Sequence, residues 1–288
     1  MEVKLIAFTK PLIGDDPRRT ILLAIKVSQG KLHEKSVEHY LTKYSEKDLE
    51  RYLIEAVRYP SVYEHAVFTF LIDGISRVAS HQLVRHRLAS YTQESQRYSE
   101  SYMKRVVDSL AKLVEEKRIP IDAKALELYR DGRYAEFIKS LLSYVESLGG
   151  CRALDKETAT SIVEAVSEGF VVPPTLGEED RVCVCIEYLR SVATYYELLS
   201  RGVPLEDARF VVPQAIKTRI LMTVNLRELI HIACLRLSKK AQWEIRQLVA
   251  AMIREVAKLI PQIVEILELA CGTSCLEIPG IEDLCPRK

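Results

Sequence analysis

Two β-type runs constrain this 288-residue chain more than any other feature, because each hands over directly to a helical pattern. Ala66-Val67-Phe68-Thr69-Phe70-Leu71-Ile72 is rich in β-branched and aromatic residues and closes on Asp73-Gly74, which predicts a strand. From Ile75 the period changes. Ile75, Val78, Ala79, Gln82, Leu83 and His86 recur at spacings of three and four, the repeat of a helix. Thr218–Val224 is again β-like, and Asn225 then opens a helix with Leu226, Leu229, Ile230 and Ala233 on its buried face. The chain therefore mixes strand and helix.

Other elements fall around these. Val3, Leu5 and Ala7 suggest a short opening strand, and Ile21, Leu22 and Ile25 mark a helix over about 18–28. Ser45 and Asp48 form a capping-box pattern ahead of a helix stopped by Pro60. The stretch of about 104–168 reads as several short amphipathic helices broken at Pro120, Asp131-Gly132 and Gly149-Gly150. A helix over about 180–199 follows, and the last long helix spans about 238–260, ended by Pro261.

Composition narrows the function classes. With 41 Lys plus Arg against 40 Asp plus Glu, the net charge of +1 argues against a chain that coats nucleic acid or an anionic membrane. The longest apolar run, Leu248–Ile253, is far short of a membrane span, and Met1-Glu2-Val3-Lys4 lacks a secretion-signal pattern. A soluble cytoplasmic protein with neither nucleic-acid nor membrane partner is expected. The seven cysteines make no CxxC pair and no zinc-spaced tetrad, so no metal site is expected. Cys271, Cys275 and Cys285 crowd the tail, 263–288, where free thiols are preferred over a disulfide or a weak metal site. Asparagine occurs once, at Asn225, a depletion that fits a thermophile avoiding thermolabile amides.

Two polar clusters could carry chemistry. Gln82, Arg85, His86, Arg87, Gln93, Ser95 and Arg97 are seven donors within sixteen residues. Arginine forks suit phosphate oxygens, and Ser and Gln complete such a cradle. The same segment also reads as a solvated basic turn at a helix C-terminus, where the macrodipole favours cations. Asn225, Arg227, His231 and Arg236 form the second cluster. There Arg227 and His231 share one helical face, while Asn225 with Glu228 also reads as a plain N-cap.

Arg85-His86-Arg87, seven residues and then Ser95 reproduce the RHR-x7-S signature, and on it the chain resembles the flavin-dependent thymidylate synthases. Ser80-His81-Gln82-Leu83-Val84, Gln96-Arg97-Tyr98, Glu64-His65 with Phe68-Thr69-Phe70, and Ala208-Arg209 with Pro213 extend the likeness. Thr223-Val224-Asn225-Leu226-Arg227-Glu228-Leu229, Leu235-Arg236 and Ala241-Gln242-Trp243-Glu244-Ile245-Arg246 complete it, over about 1–103 and 169–262. The resemblance implies an α+β fold, mixed helix and sheet around a central helical layer, in one domain over 1–288 interrupted by a mainly helical insertion at about 104–168. It implies a methyltransferase that converts dUMP to dTMP with carbon from the folate methylenetetrahydrofolate. The reducing equivalents would come from NADPH through FAD, in a homotetramer whose active sites are shared between chains.

Carried over position by position, Ser61, Arg85, His86, Arg87, Gln93, Asn225, Leu226, Arg227 and His231 fall at flavin-contacting places. Gln82, Leu83, Val84, Arg85, Gln93, Glu94, Ser95, Gln96, Arg97, Arg209 and Arg236 fall at dUMP-contacting places. Arg236 is the expected catalytic residue, a fixed cation beside the uracil N3–O2 edge, with Arg97 and Arg209 as phosphate clamps. Tyr59 stands where the family usually has a flavin-contacting His, Gln93 where some members have a carboxylate, and Lys240 where some have a histidine. The extra segment between Tyr98-Ser99 and Val172-Pro173-Pro174 reads as a surface elaboration or an added tetramer contact, with a regulatory or partner-binding role as the alternative.

Overall fold

The computed structural model describes residues 1–278 and 280–285. The fold is α+β, rich in helix, with one small sheet. Strands β1 (Glu2–Phe8), β2 (Val67–Ser76), β3 (Ala89–Gln93) and β4 (Lys217–Asn225) lie in the order β1-β2-β4-β3. The helices are α1 (Arg18–Ser28), α2 (Val37–Thr42), α3 (Glu46–Glu55), α4 (Arg77–Leu83), α5 (Ser101–Glu115), α6 (Ala125–Arg130) and α7 (Tyr134–Ser147). They continue with α8 (Lys156–Ser167), α9 (Glu178–Ser200), α10 (Leu205–Ala208), α11 (Leu226–Arg236), α12 (Trp243–Ala257) and α13 (Ile263–Cys271). None among the described residues is long and apolar enough to cross a membrane. The chain divides into two compact units, one of Met1–Ile75, Ala79–Gln93 and Arg219–Lys288, the other of Ser76–Val78 and Glu94–Thr218.

The first unit is built on the sheet. β1 and β2 are antiparallel with Leu5 opposite Phe70, and β3 and β4 are antiparallel with Tyr91 opposite Met222. Alternation sends Phe68, Phe70 and Ile72 of β2, and Ile220, Met222 and Val224 of β4, into the core. Between them, on the other face, the Thr69 and Thr223 hydroxyls meet at 3.0 Å and Arg219 grips Asp73 at 2.6 Å. The apolar stripes of α1, α11, α12 and α13 fill the same core. The expected helix from about 238 begins later, at Trp243. Ser238–Ala241 instead forms a turn, and the Gln242 side chain caps the helix by accepting from the backbone of Glu244 and Ile245. β3 was not predicted, being short, polar and half-exposed.

The second unit has its own core, drawn from α5 (Val106, Leu110), α7 (Phe137, Ile138), α8 (Ile162, Val166) and α9 (Leu189, Val192). Its helices break where the sequence predicts, at Pro120, Asp131-Gly132 and Gly149-Gly150. Gly169 sits under α5 so closely that a Cβ would lie 2.3 Å from the Tyr102 carbonyl oxygen and 2.5 Å from a Val106 methyl. Gly169→Ala is therefore expected to cost about 1–3 kcal/mol through forced displacement of α5, read as a lowered midpoint in thermal or urea unfolding.

The cysteines correct an expectation. Cys151–Cys183, Cys234–Cys271 and Cys275–Cys285 are disulfides, and only Cys185 is free among the described residues. Burial pushes the Cys185 thiol up to about 12. The tail is thus not a set of thiols. Packing of α13 against α11 brings Cys271 to Cys234, and the chain beyond Gly272 folds back to pair Cys275 with Cys285. The first pairing spans 37 residues, a separation that carries no local spacing signal.

Candidate functional site

In the first unit the site is built where α4 ends and α11 passes. After Leu83 the chain turns, with the His86 N–H donating to the Leu83 carbonyl at 3.1 Å, and β3 begins at Ala89. The Tyr91 hydroxyl braces this turn from β3, donating to the carbonyls of Leu83 at 3.0 Å and His86 at 2.9 Å. The turn points His86 inward, 6% exposed, and leaves Arg85 and Arg87 on the surface. The arginines lie on the surface just beyond the C-terminus of α4, and they flank a buried imidazole.

Arg236, in the last turn of α11, reaches that imidazole. Its Nε donates to His86 Nε2 at 3.0 Å and its Nη2 to the Gln82 carbonyl at 3.4 Å. His231, exposed on the same helix, places its ring 6.3 Å from that of His86. Burial, with Arg236 and His231 nearby, lowers His86 to about 4, so its ring is neutral at physiological pH. Arginine has no acceptor, so Nε2 must be bare and the imidazole proton sits on Nδ1. Glu228, also buried, sets a carboxylate oxygen 3.9 Å from that nitrogen.

The start of α11 supplies a second group. The Asn225 side-chain oxygen accepts from the Glu228 N–H at 2.9 Å, a true N-cap that leaves its amide nitrogen as a donor. Arg227 is exposed and paired with Glu64. Glu64 in turn lines a groove of about 450 Å³ with Ser61, His65, Thr20 and Ser28 over apolar walls from Leu23, Val27 and Val62. The Thr20 hydroxyl oxygen is buried with no partner. Gln93 donates to Ser80 at 3.1 Å. Leu83 and Leu226 are fully buried, so their side chains belong to the core, whereas Val84 is exposed. Among the described residues no three or more His, Cys, Asp and Glu side chains are arranged to hold a metal ion.

The remaining candidates lie in the second unit. Glu94 accepts from Ser99 at 2.5 Å and Ser101 at 2.6 Å, and Ser95 accepts the Arg97 N–H at 3.2 Å, shaping a tight turn that includes Gln96. Arg97 Nε donates to the Glu206 carboxylate at 2.9 Å, and Arg209 Nε to the Glu206 backbone carbonyl at 2.9 Å. Both expected phosphate clamps thus converge on one residue of α10. Burial, with Arg209 nearby, pushes the Arg77 guanidinium below its ordinary value. Sequence reading missed Glu206, Arg77 and Tyr91. None lies in a recognisable motif role, and only folding gives them one.

The chain matches the family described as thymidylate synthase complementing protein over residues 4–262, a range that spans the middle segment. It is 38% identical to a flavin-dependent thymidylate synthase of Aeropyrum pernix, covering 91% of this chain and 77% of that one. It is 34% identical to one of Pyrococcus furiosus, covering 90% and 80%. Among solved structures it is similar to the flavin-dependent thymidylate synthase of Helicobacter pylori complexed with FAD and dUMP. That match has a TM-score of 0.57 at 21% identity over 88% of this chain and 93% of that one, a likeness of fold.

Proposed function

The chain belongs to the flavin-dependent thymidylate synthase family of enzymes, and from that premise we propose that it converts dUMP, methylenetetrahydrofolate and NADPH with a proton into dTMP, tetrahydrofolate and NADP+. The observation that carries this reading is the Arg236 guanidinium held on a buried neutral imidazole. A fixed cation so placed stabilises negative charge growing on the pyrimidine carbonyls and needs no reorganisation as it develops. FAD, when bound, supplies the hydride. The donor set suits it: Ser61, Ser28, Thr20 and His65 line the groove, Arg227 and Asn225 adjoin through Glu64 and the α11 cap, and Arg85 and Arg87 offer cations for a diphosphate. Gln93 joins this set, whereas the Leu226 side chain lies in the core and its N–H donates to the Ala66 carbonyl at 2.8 Å.

Arg97 and Arg209 bind the dUMP phosphate, which displaces Arg97 from Glu206, while Gln82, Val84, Glu94, Ser95 and Gln96 orient the nucleotide. The enzyme works as a cytoplasmic homotetramer with active sites shared between chains. Exposed apolar side chains in each unit support that association: Leu88 next to Arg87 (73% exposed) in the first, and Tyr98 next to Arg97 (80%) and Phe210 next to Arg209 (81%) in the second. The middle segment is an elaboration of a single synthase chain, and it shares one core with α9.

Anaerobic turnover tests the reading. Protein, FAD, dUMP, methylenetetrahydrofolate and NADPH are expected to yield dTMP by chromatography, and none without FAD. UMP run in parallel tests selection against the 2′-hydroxyl. NADPH oxidation with tightly held flavin but no methylated nucleotide would overturn the assignment in favour of a diverged flavoprotein.

A further inference from the structure

We propose that Glu228 is a positioning residue for Arg236: its buried carboxylate, 3.9 Å from His86 Nδ1, holds the imidazole proton on that nitrogen and so keeps Nε2 bare to accept from Arg236 Nε. The sequence marks Glu228 only as part of an N-terminal cap, and its backbone N–H does serve that cap. Its side chain does something else. It is 6% exposed and faces His86, a residue 142 positions away in the chain, and a buried carboxylate is kept only where it has work to do.

The argument is one of hydrogen-bond arithmetic. Arginine donates only, so the contact between Arg236 and His86 exists in a single protonation state and a single tautomer. A neutral imidazole in water favours the proton on Nε2, the form that would set two N–H groups against each other here. At 3.9 Å the carboxylate is too far for a hydrogen bond and acts through its charge, which favours an N–H at Nδ1. The groups that face His86 are Arg236 at Nε2, Glu228 at Nδ1 and the His231 ring edge-on, while the Tyr91 hydroxyl fixes the His86 carbonyl. Arg236 and His231 both disfavour a charged imidazolium, and Glu228 chooses between the two neutral forms. The guanidinium is then steered by its Nε bond. A change of tautomer would swing it away without altering the flavin groove.

This rests on the reading of Arg236 as the group that activates the pyrimidine, and the test separates the two. Nitrogen-15 NMR of histidine-labelled protein without ligands, with His86→Gln identifying the resonance, reads the tautomer directly. Wild type is expected to show a protonated Nδ1 and a bare Nε2. Glu228→Gln is expected to show both tautomers, to bind FAD as before, and to lose kcat by about tenfold to a hundredfold at little change in KM. Glu228→Asp is expected to recover part of both signals. A protonated Nε2 in wild type overturns the proposal without any variant needing to fold, and so does a folded Glu228→Gln that keeps the wild-type tautomer. A shifted tautomer in Glu228→Gln with undiminished kcat supports the placement of the proton and overturns instead the role given to Arg236.

Discussion

Arg236→Ala is expected to bind FAD as the parent does and to form dTMP about 10²–10³-fold more slowly. The size follows from what the side chain is held to do. Removing a preorganised donor aimed at developing charge removes stabilisation found only in the transition state, so kcat falls and binding does not. Arg236 lies at the C-terminal end of α11, two turns or more from the Arg227–Glu64 pair that borders the groove, so flavin affinity is expected to survive. Its loss strips His86 Nε2 of a partner as well. Arg236→Lys is therefore expected to recover little, because an ammonium cannot reproduce the fork that engages both the imidazole and the Gln82 carbonyl. Single-turnover formation of dTMP alongside a flavin titration measures both. Near-normal rates in the alanine variant would remove Arg236 from its role.

Reduction of the disulfides is expected to lower the stability of the chain by several kcal/mol, about 4 for each long loop. Closing loops of 32 and 37 residues, Cys151–Cys183 and Cys234–Cys271 each restrict the unfolded chain by about 4 kcal/mol in the chain-entropy picture. Cys234–Cys271 also ties α11, which carries Arg236, to α13. A fall in melting temperature of well over ten degrees is expected in calorimetry with a phosphine reductant. Alkylation after unfolding without reductant should label Cys185 alone, and all seven cysteines after reduction. More than one labelled thiol in the unreduced protein would overturn the pairing. Disulfides are uncommon in cytosolic proteins outside hyperthermophiles, which agrees with the single asparagine of the sequence.

What could be read from the sequence was what local chemistry determines. Helix α1 is marked by Ile21, Leu22 and Ile25, and the onset of α11 by Asn225, because both signals lie within a few residues of the elements they specify. β3 escaped because Ala89–Gln93 carries no strong alternation and becomes a strand only by pairing with β4, well over a hundred residues later. The RHR segment was legible as a motif, yet its inside-out arrangement depends on Tyr91 bracing two carbonyls, which no spacing announces. The meeting of Arg97 and Arg209 at Glu206, and the cysteine partners, are likewise products of folding rather than of local pattern.

The order β1-β2-β4-β3 places an inner strand last in the chain. During synthesis β2 and β3 emerge early, while β4 waits for the whole of Glu94–Thr218, roughly 125 residues, to leave the ribosome. At about 5–20 residues per second that delay is about 6–25 s, with two strand edges unpaired throughout. The core of the second unit draws on residues as late as Ile216, immediately before β4, so that unit and the inner strand of the sheet are completed together.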